Sequence, residues 1–159
     1  MQQCIAEHSR DPFPTETAPI TIKDNELYFY NKKIFRNIRG DEGIIVNDRR
    51  EGLWILKYDN SRKEQEGYYL NNKRVGTWYS WYPGGELRKK ERYISDDRIE
   101  YESWYRNGSR DEKGEFKGNR PDGLCYVWHP DFGYLWKKYE YRDGELYKSW
   151  MYDEEGNVI

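Results

Sequence analysis

The sequence predicts an all-β chain: an elongated antiparallel meander of β-hairpin repeats, laid out as a single-layer twisted sheet. Three observations lead there. Aromatic residues make up 18% of the 159 residues although the mean hydropathy is −1.22, so rings rather than aliphatic runs carry the apolar surface. Chains this polar but poor in aromatics stay disordered; here the rings point to a folded chain with a thin core. A repeat of 23 to 25 residues runs through most of the sequence. Each period holds two polar turn signals, the length of one hairpin and its connection.

Residues 1–19, with Pro12, Pro14 and Pro19 and no hydrophobic period, read as a flexible N-terminal arm. A β-hairpin repeat domain follows over 20–159. Its opening strands are Ile20-Thr21-Ile22, Leu27 to Tyr30 and Ile34-Phe35, with Asn31-Lys32-Lys33 as a tight turn. Clear repeats cover 45–159 and are marked by three series in one register. The aromatic before a polar turn recurs as Tyr69, Tyr93, Phe116 and Tyr141, at intervals of 24, 23 and 25. Lys57, Trp81, Trp104, Trp128 and Met151 recur at 24, 23, 24 and 23, followed by Tyr58, Tyr82, Tyr105, His129 and Tyr152. The third series is the turn itself, from Asn60-Ser61 through Gly84-Gly85, Asn107-Gly108 and Asp131-Phe132-Gly133 to Glu155-Gly156.

Folding each hairpin about its turn pairs Gly52 with Tyr69, Gly76 with Tyr93, Trp78 with Glu91, Cys125 with Tyr139 and Gly123 with Tyr141. The same register pairs Tyr58 with Lys63, Tyr82 with Leu87 and His129 with Leu135. Each glycine opposite a tyrosine would leave room for the ring over bare backbone. Alternation along the strands then separates two faces. The first is the candidate core: Trp54, Tyr58, Trp78, Tyr82, Leu87, Tyr101, Tyr105, Cys125, Val127, Leu135, Tyr139, Trp150 and Tyr152, with Tyr69, Tyr93, Phe116 and Tyr141 as a structural aromatic column. The second mixes Tyr79, Trp81, Trp104, Tyr126, Trp128 and Met151 with Arg88, Lys90, Lys113 and Lys138.

Units of this form resemble MORN-repeat variants. The clearest copy is Gly76-Thr77-Trp78, Tyr82-Pro83-Gly84-Gly85-Glu86-Leu87 and Tyr93; Tyr139 and Tyr141-Arg142-Asp143-Gly144-Glu145-Leu146 form a second half-copy. The third copy departs, with Ile99-Glu100 where Gly-x is expected and Arg110 for Leu, and the first copy has no Gly in its turn. The resemblance implies a bacterial antitoxin or immunity protein that neutralises a cognate toxin; other members are lipoproteins or scaffolds at an envelope. It does not imply an enzyme.

Other classes find little support. With Lys+Arg 27 against Asp+Glu 29 the net charge is −2, which argues against a nucleic-acid binder that works by overall basicity. His8 and His129 are the only histidines, and His129 reads as a substitute in the tyrosine column rather than a catalytic or metal-ligating group. No nucleophile elbow or phosphate-cradling loop is present, and the acidic turn at 153–157 lacks calcium-loop spacing. No cofactor or metal is expected. Cys4 and Cys125 make no disulfide framework, so the expected setting is the cytoplasm. If a signal peptide has been removed, Cys4 is the candidate lipid-bearing residue of a periplasmic or surface-anchored form.

The expected function is therefore non-enzymatic: binding a cognate toxin and occluding its active site. The candidate contact residues are Trp81, Trp104, Trp128, Tyr79, Tyr126, Arg88 and Lys90, since aromatic rows rimmed by charge make interface anchors. The competing view is a cross-strand aromatic ladder that only stabilises the sheet, and charges at 88–92 that only solvate a strand. Carbohydrate binding on Trp platforms and contact with membrane or envelope partners are the alternative functions.

Overall fold

The computed structural model describes residues 20–23, 26–29 and 32–159, with side chains from residue 34 onward. The arm over 1–19, with Cys4, lies outside the described residues. Every regular element among those described is a strand, and no helix is long and apolar enough to cross a membrane. The strands are β1 (Ile20–Lys23), β2 (Glu26–Phe29), β3 (Lys32–Arg36), β4 (Glu42–Val46), β5 (Arg49–Lys57), β6 (Lys63–Leu70) and β7 (Lys73–Trp81). They continue with β8 (Leu87–Tyr93), β9 (Arg98–Trp104), β10 (Arg110–Lys117), β11 (Arg120–Trp128), β12 (Leu135–Arg142) and β13 (Glu145–Met151). All 13 form one sheet in chain order, each antiparallel to the next, so the sheet is an open meander. Lys32 and Lys33, expected in a turn, begin β3 instead and pair with Phe29 and Tyr28.

Two kinds of turn alternate. Along one side the connections from β4 onward are two residues long, except for the four residues 94–97 between β8 and β9, and Asn47 (φ 50), Asp48 (φ 60), Asn71 (φ 52) and Asn72 (φ 66) take the left-handed backbone that matches strand twist. Along the other side a longer turn recurs. In the hairpin of β7 and β8, Gly85 N donates to Tyr82 O and Tyr82 N to Glu86 O, both at 2.8 Å. The first copy builds the same turn without glycine: Ser61 takes φ 65 and donates to Tyr58 O at 2.8 Å.

The core is one layer of side chains. Trp54 and Trp78 are each 1% exposed, with Tyr69 between them at 5.8 and 4.9 Å, edge to face. Phe35, Ile45, Leu56 and Tyr93 pack against this cluster. A sheet with no second layer buries its indoles from above by cations: Arg50 lies 4.7 Å from the Trp54 ring and Arg74 4.1 Å from Trp78. Tyr101 and Cys125 continue the buried strip, and Phe116 lies 5.1 Å from Tyr101. Trp54, Tyr69, Trp78, Tyr101 and Cys125 thus lie on the face read as the core, with Tyr93, Phe116 and Tyr141 half-buried.

Three details of the expected register change. Gly52, Gly76 and Gly123 do pair with Tyr69, Tyr93 and Tyr141. The rings, however, lie over other glycines: a Cβ on Gly43 would fall inside the Trp54 indole, and one on Gly67 inside that of Trp78. Gly76 meets nothing within 4 Å and instead carries φ +64, forming the bulge that aims Trp78 at Gly67. Second, bulges near the long turns shift the pairing by one, so Lys63, Leu87 and Leu135 oppose Lys57, Trp81 and Trp128 rather than Tyr58, Tyr82 and His129. Leu87 and Leu135 therefore leave the core face. Third, a bulge between Glu140 and Tyr141 pairs Lys138 with Trp150 and Lys137 with Met151, which exchanges the faces expected for Trp150 and Met151. The third copy has no such irregularity between β8 and β9: Tyr93 pairs with Ile99 and Glu91 with Tyr101 in unbroken register.

Candidate interaction face

The face opposite the core is organised in rows that cross the strands. One row, near the long turns, runs through Trp81 and Leu87, then Trp104 and Arg110, then Trp128 and Leu135. The three indoles sit on alternate strands, about 9.6 Å apart by strand spacing. They do not stack on one another. Each is half-buried and filled in by its neighbours: Lys63 lies 5.1 Å from Trp81, and Arg110 lies 5.4 Å from Trp128. Tyr79 and Tyr126 stand two residues before Trp81 and Trp128 and tilt against them at 6.1 and 6.2 Å.

The tyrosine that follows each tryptophan explains why this row holds its place. The Tyr58 hydroxyl donates to Trp81 O at 2.6 Å, Tyr82 to Trp104 O at 3.0 Å and Tyr105 to Trp128 O at 3.4 Å. Three successive repeats are thus each fastened to the next at its tryptophan-series residue. Burial, and Asp111 nearby, push the Tyr105 hydroxyl up to about 12, so this donor keeps its proton. His129 stands where the next tyrosine would be and stacks on Tyr134 at 5.3 Å, with Phe132 4.9 Å away. Its Nδ1 accepts from Asp131 N at 3.3 Å, which makes it part of the turn.

A second row crosses the middle of the same face: Ile55, Glu66, Tyr79, Lys90, Glu102, Lys113, Tyr126, Lys138 and Trp150 are consecutive cross-strand partners. Both of its carboxylates are paired, Glu66 with Lys63 and Glu102 with Lys113 at 3.1 Å; beside the row, Arg92 meets Glu100 at 3.6 Å and Arg98 meets Glu115 at 3.0 Å. Arg88 does not join Lys90 on this row. It is the extra residue of the bulge in β8, and its guanidinium lies 5.8 Å from the Tyr82 ring. Trp150, expected on the core face, and Leu124, which the sequence reading did not single out, belong to this face. The β13 bulge that turns Trp150 over has no glycine to announce it.

On the core face, Tyr101, Glu112 and Cys125 form a small polar group, with the Tyr101 hydroxyl 3.5 Å from Glu112 Oε2 and 3.6 Å from Cys125 Sγ. Burial raises all three: Glu112 above the usual carboxylate value, aided by Asp111; the Cys125 thiol; and most of all the Tyr101 phenol. All three are protonated more readily than in water, which suits a packed interior and not a nucleophile. Among the described residues no group of three or more His, Cys, Asp or Glu side chains could hold a metal ion.

No family model matches the chain. No curated protein matches it either.

Proposed function

We propose that this chain is a non-enzymatic protein-binding module: an immunity protein or antitoxin that lays its aromatic row across the active site of a cognate toxin. The observation that carries the reading is the Trp81, Trp104 and Trp128 row, half-buried on an open sheet face and interleaved with Leu87, Arg110 and Leu135. Such indoles are pre-positioned by the tyrosine fastenings, so a partner need not order them, and aromatic and arginine side chains are the usual anchors of protein interfaces. The step from protein binding to toxin neutralisation rests on the resemblance of the repeats to MORN variants.

The test is a pull-down from source cells with the wild-type chain and with the Trp81→Ala/Trp104→Ala/Trp128→Ala variant. A single stoichiometric partner, toxic when expressed without this chain and lost with the triple variant, is the expected result. Retention by the variant would move the contact to another surface. Binding only to glycans or to lipid vesicles, with no protein partner, would replace the reading with one of its alternatives.

A further inference from the structure

The C-terminal half of the charged row has a spacing and chemistry of its own. Lys90, Lys113 and Lys138 lie on β8, β10 and β12 in one unbroken series of cross-strand partners. Alternate strands are about 9.6 Å apart, so the three lysine positions repeat at that interval across the sheet. Between and beyond them stand the rings of Tyr126 on β11 and Trp150 on β13. Lys138 is poised over both rings, 5.9 Å from Tyr126 and 4.9 Å from Trp150. Lys90 has no carboxylate within ion-pairing distance among the described residues, whereas Lys113 shares Glu102. The surface dips on either side of Leu124, which is 38% exposed: Lys90, Lys113 and Tyr126 line a hollow of about 540 Å³ with Glu100, Glu102 and Glu115, which are held by Arg92, Lys113 and Arg98. Lys138 and Trp150 line another of about 560 Å³ with Asp122 and Glu140, held by Arg98 and Arg142, so Lys90 and Lys138 are the cations left for a ligand.

A polypeptide in the polyproline II conformation repeats every three residues with a rise of about 9.3 Å per turn. That nearly equals the interval between the lysines. We propose that this half of the face binds an acidic, proline-containing segment of a partner protein, lying across the strands with a carboxylate at every third residue. Its carboxylates meet Lys90 and Lys138 and share Lys113 with Glu102, and its pyrrolidine rings rest on Tyr126 and Trp150, as proline-rich segments dock on aromatic-lined grooves. A nucleic-acid backbone fits less well, because its phosphates, about 3.4 Å apart along each strand of a duplex, are spaced far more closely than the lysines, so most would face Glu100, Glu102, Glu115 and Glu140 instead of a cation. The proposal rests on reading this face as a protein-contact surface and adds the chemistry of the partner.

The test is fluorescence anisotropy of a labelled peptide of four Glu-Pro-Pro triplets titrated with the full chain at low salt. Lys-Pro-Pro and Glu-Gly-Gly peptides and a dT12 oligonucleotide serve as probes of charge, backbone conformation and polymer class. Saturable binding of Glu-Pro-Pro, weaker for Glu-Gly-Gly, absent for Lys-Pro-Pro and weakened by salt, is expected. Lys90→Gln/Lys138→Gln, on the sheet surface and with circular dichroism unchanged, should weaken it by about tenfold. Trp150→Ala should also weaken it. No binding of Glu-Pro-Pro at concentrations of about 1 mM, equal or tighter binding of dT12, or indifference to the double lysine variant would each overturn the proposal. Those outcomes leave the pull-down through Trp81, Trp104 and Trp128 as an independent result.

Discussion

Trp54 and Trp78 occupy equivalent places in successive repeats and are equally buried, yet only one has its indole N–H satisfied. Trp78 Nε1 donates to Tyr68 O at 3.1 Å, while Trp54 Nε1 is buried without a hydrogen-bond partner. An orphaned buried donor costs about 1–3 kcal/mol, so Trp54→Phe should be less destabilising than Trp78→Phe by a margin of about that size. Urea midpoints of the two variants check this, and equal losses would contradict it. Glu112 offers a second residue-scale test. Its carboxyl is raised above 4.5 in the folded chain by burial first and by Asp111 second. The folded state therefore holds this proton more tightly than the unfolded chain. That contribution is complete below the unfolded value and is lost as pH rises through the folded one. Glu112→Gln, which keeps an acceptor for the Tyr101 hydroxyl, should gain stability over the wild type at neutral pH and show no gain near pH 3.

Within a hairpin, glycines act in opposed pairs. Gly67 leaves space for the Trp78 indole, and Gly76 makes the bulge that brings the indole there. Gly67→Ala should cost about 3 kcal/mol or more, because the new methyl group must displace a buried ring. Gly76→Ala, with open space but φ +64, should cost about 1–2 kcal/mol in backbone strain alone. Thermal midpoints of the two variants give the ordering. In the third copy both glycines are gone together, replaced by Glu91 and Ile99, and β8 and β9 pair without a bulge. The sequence shows this loss as a departure from the repeat, and the structure explains why the sheet stays regular there. The 24-residue period, the meander and the core residues were legible because turns and aromatics recur in a common register. The pairing next to the long turns was not, since each bulge there adds one residue that leaves no mark of its own in the sequence. An unmarked extra residue moves Leu87, Leu135 and, beside the short turn at 143–144, Trp150 to the face opposite the expected one, whereas Tyr79, Trp81, Tyr126 and Trp128 keep theirs because the extra residues at those shifts lie on β8 and β12.

Across the whole molecule, each strand contacts little besides its neighbours, so stability is a sum of local interfaces rather than the property of one centre. The Trp54, Tyr69 and Trp78 cluster spans β5 to β7, whereas β13 leaves Leu146 and Tyr147 at 55% and 50% exposure. Hydrogen exchange should therefore be slowest in β5–β7 and fastest in β13, with intermediate strands graded between them. Uniform protection across all strands would show instead that the sheet opens as a single unit. The tyrosine fastenings bear on how such a molecule could change in length. Tyr58, Tyr82 and Tyr105 all reach toward the C-terminal neighbour, each to the carbonyl of its tryptophan-series residue. A duplicated unit spliced between two existing ones would meet a matching donor at one border and a matching acceptor at the other. The molecule is in this sense a ruler that evolution can lengthen by one division at a time, adding an indole to one row and a cation to the next while the divisions already present keep their spacing.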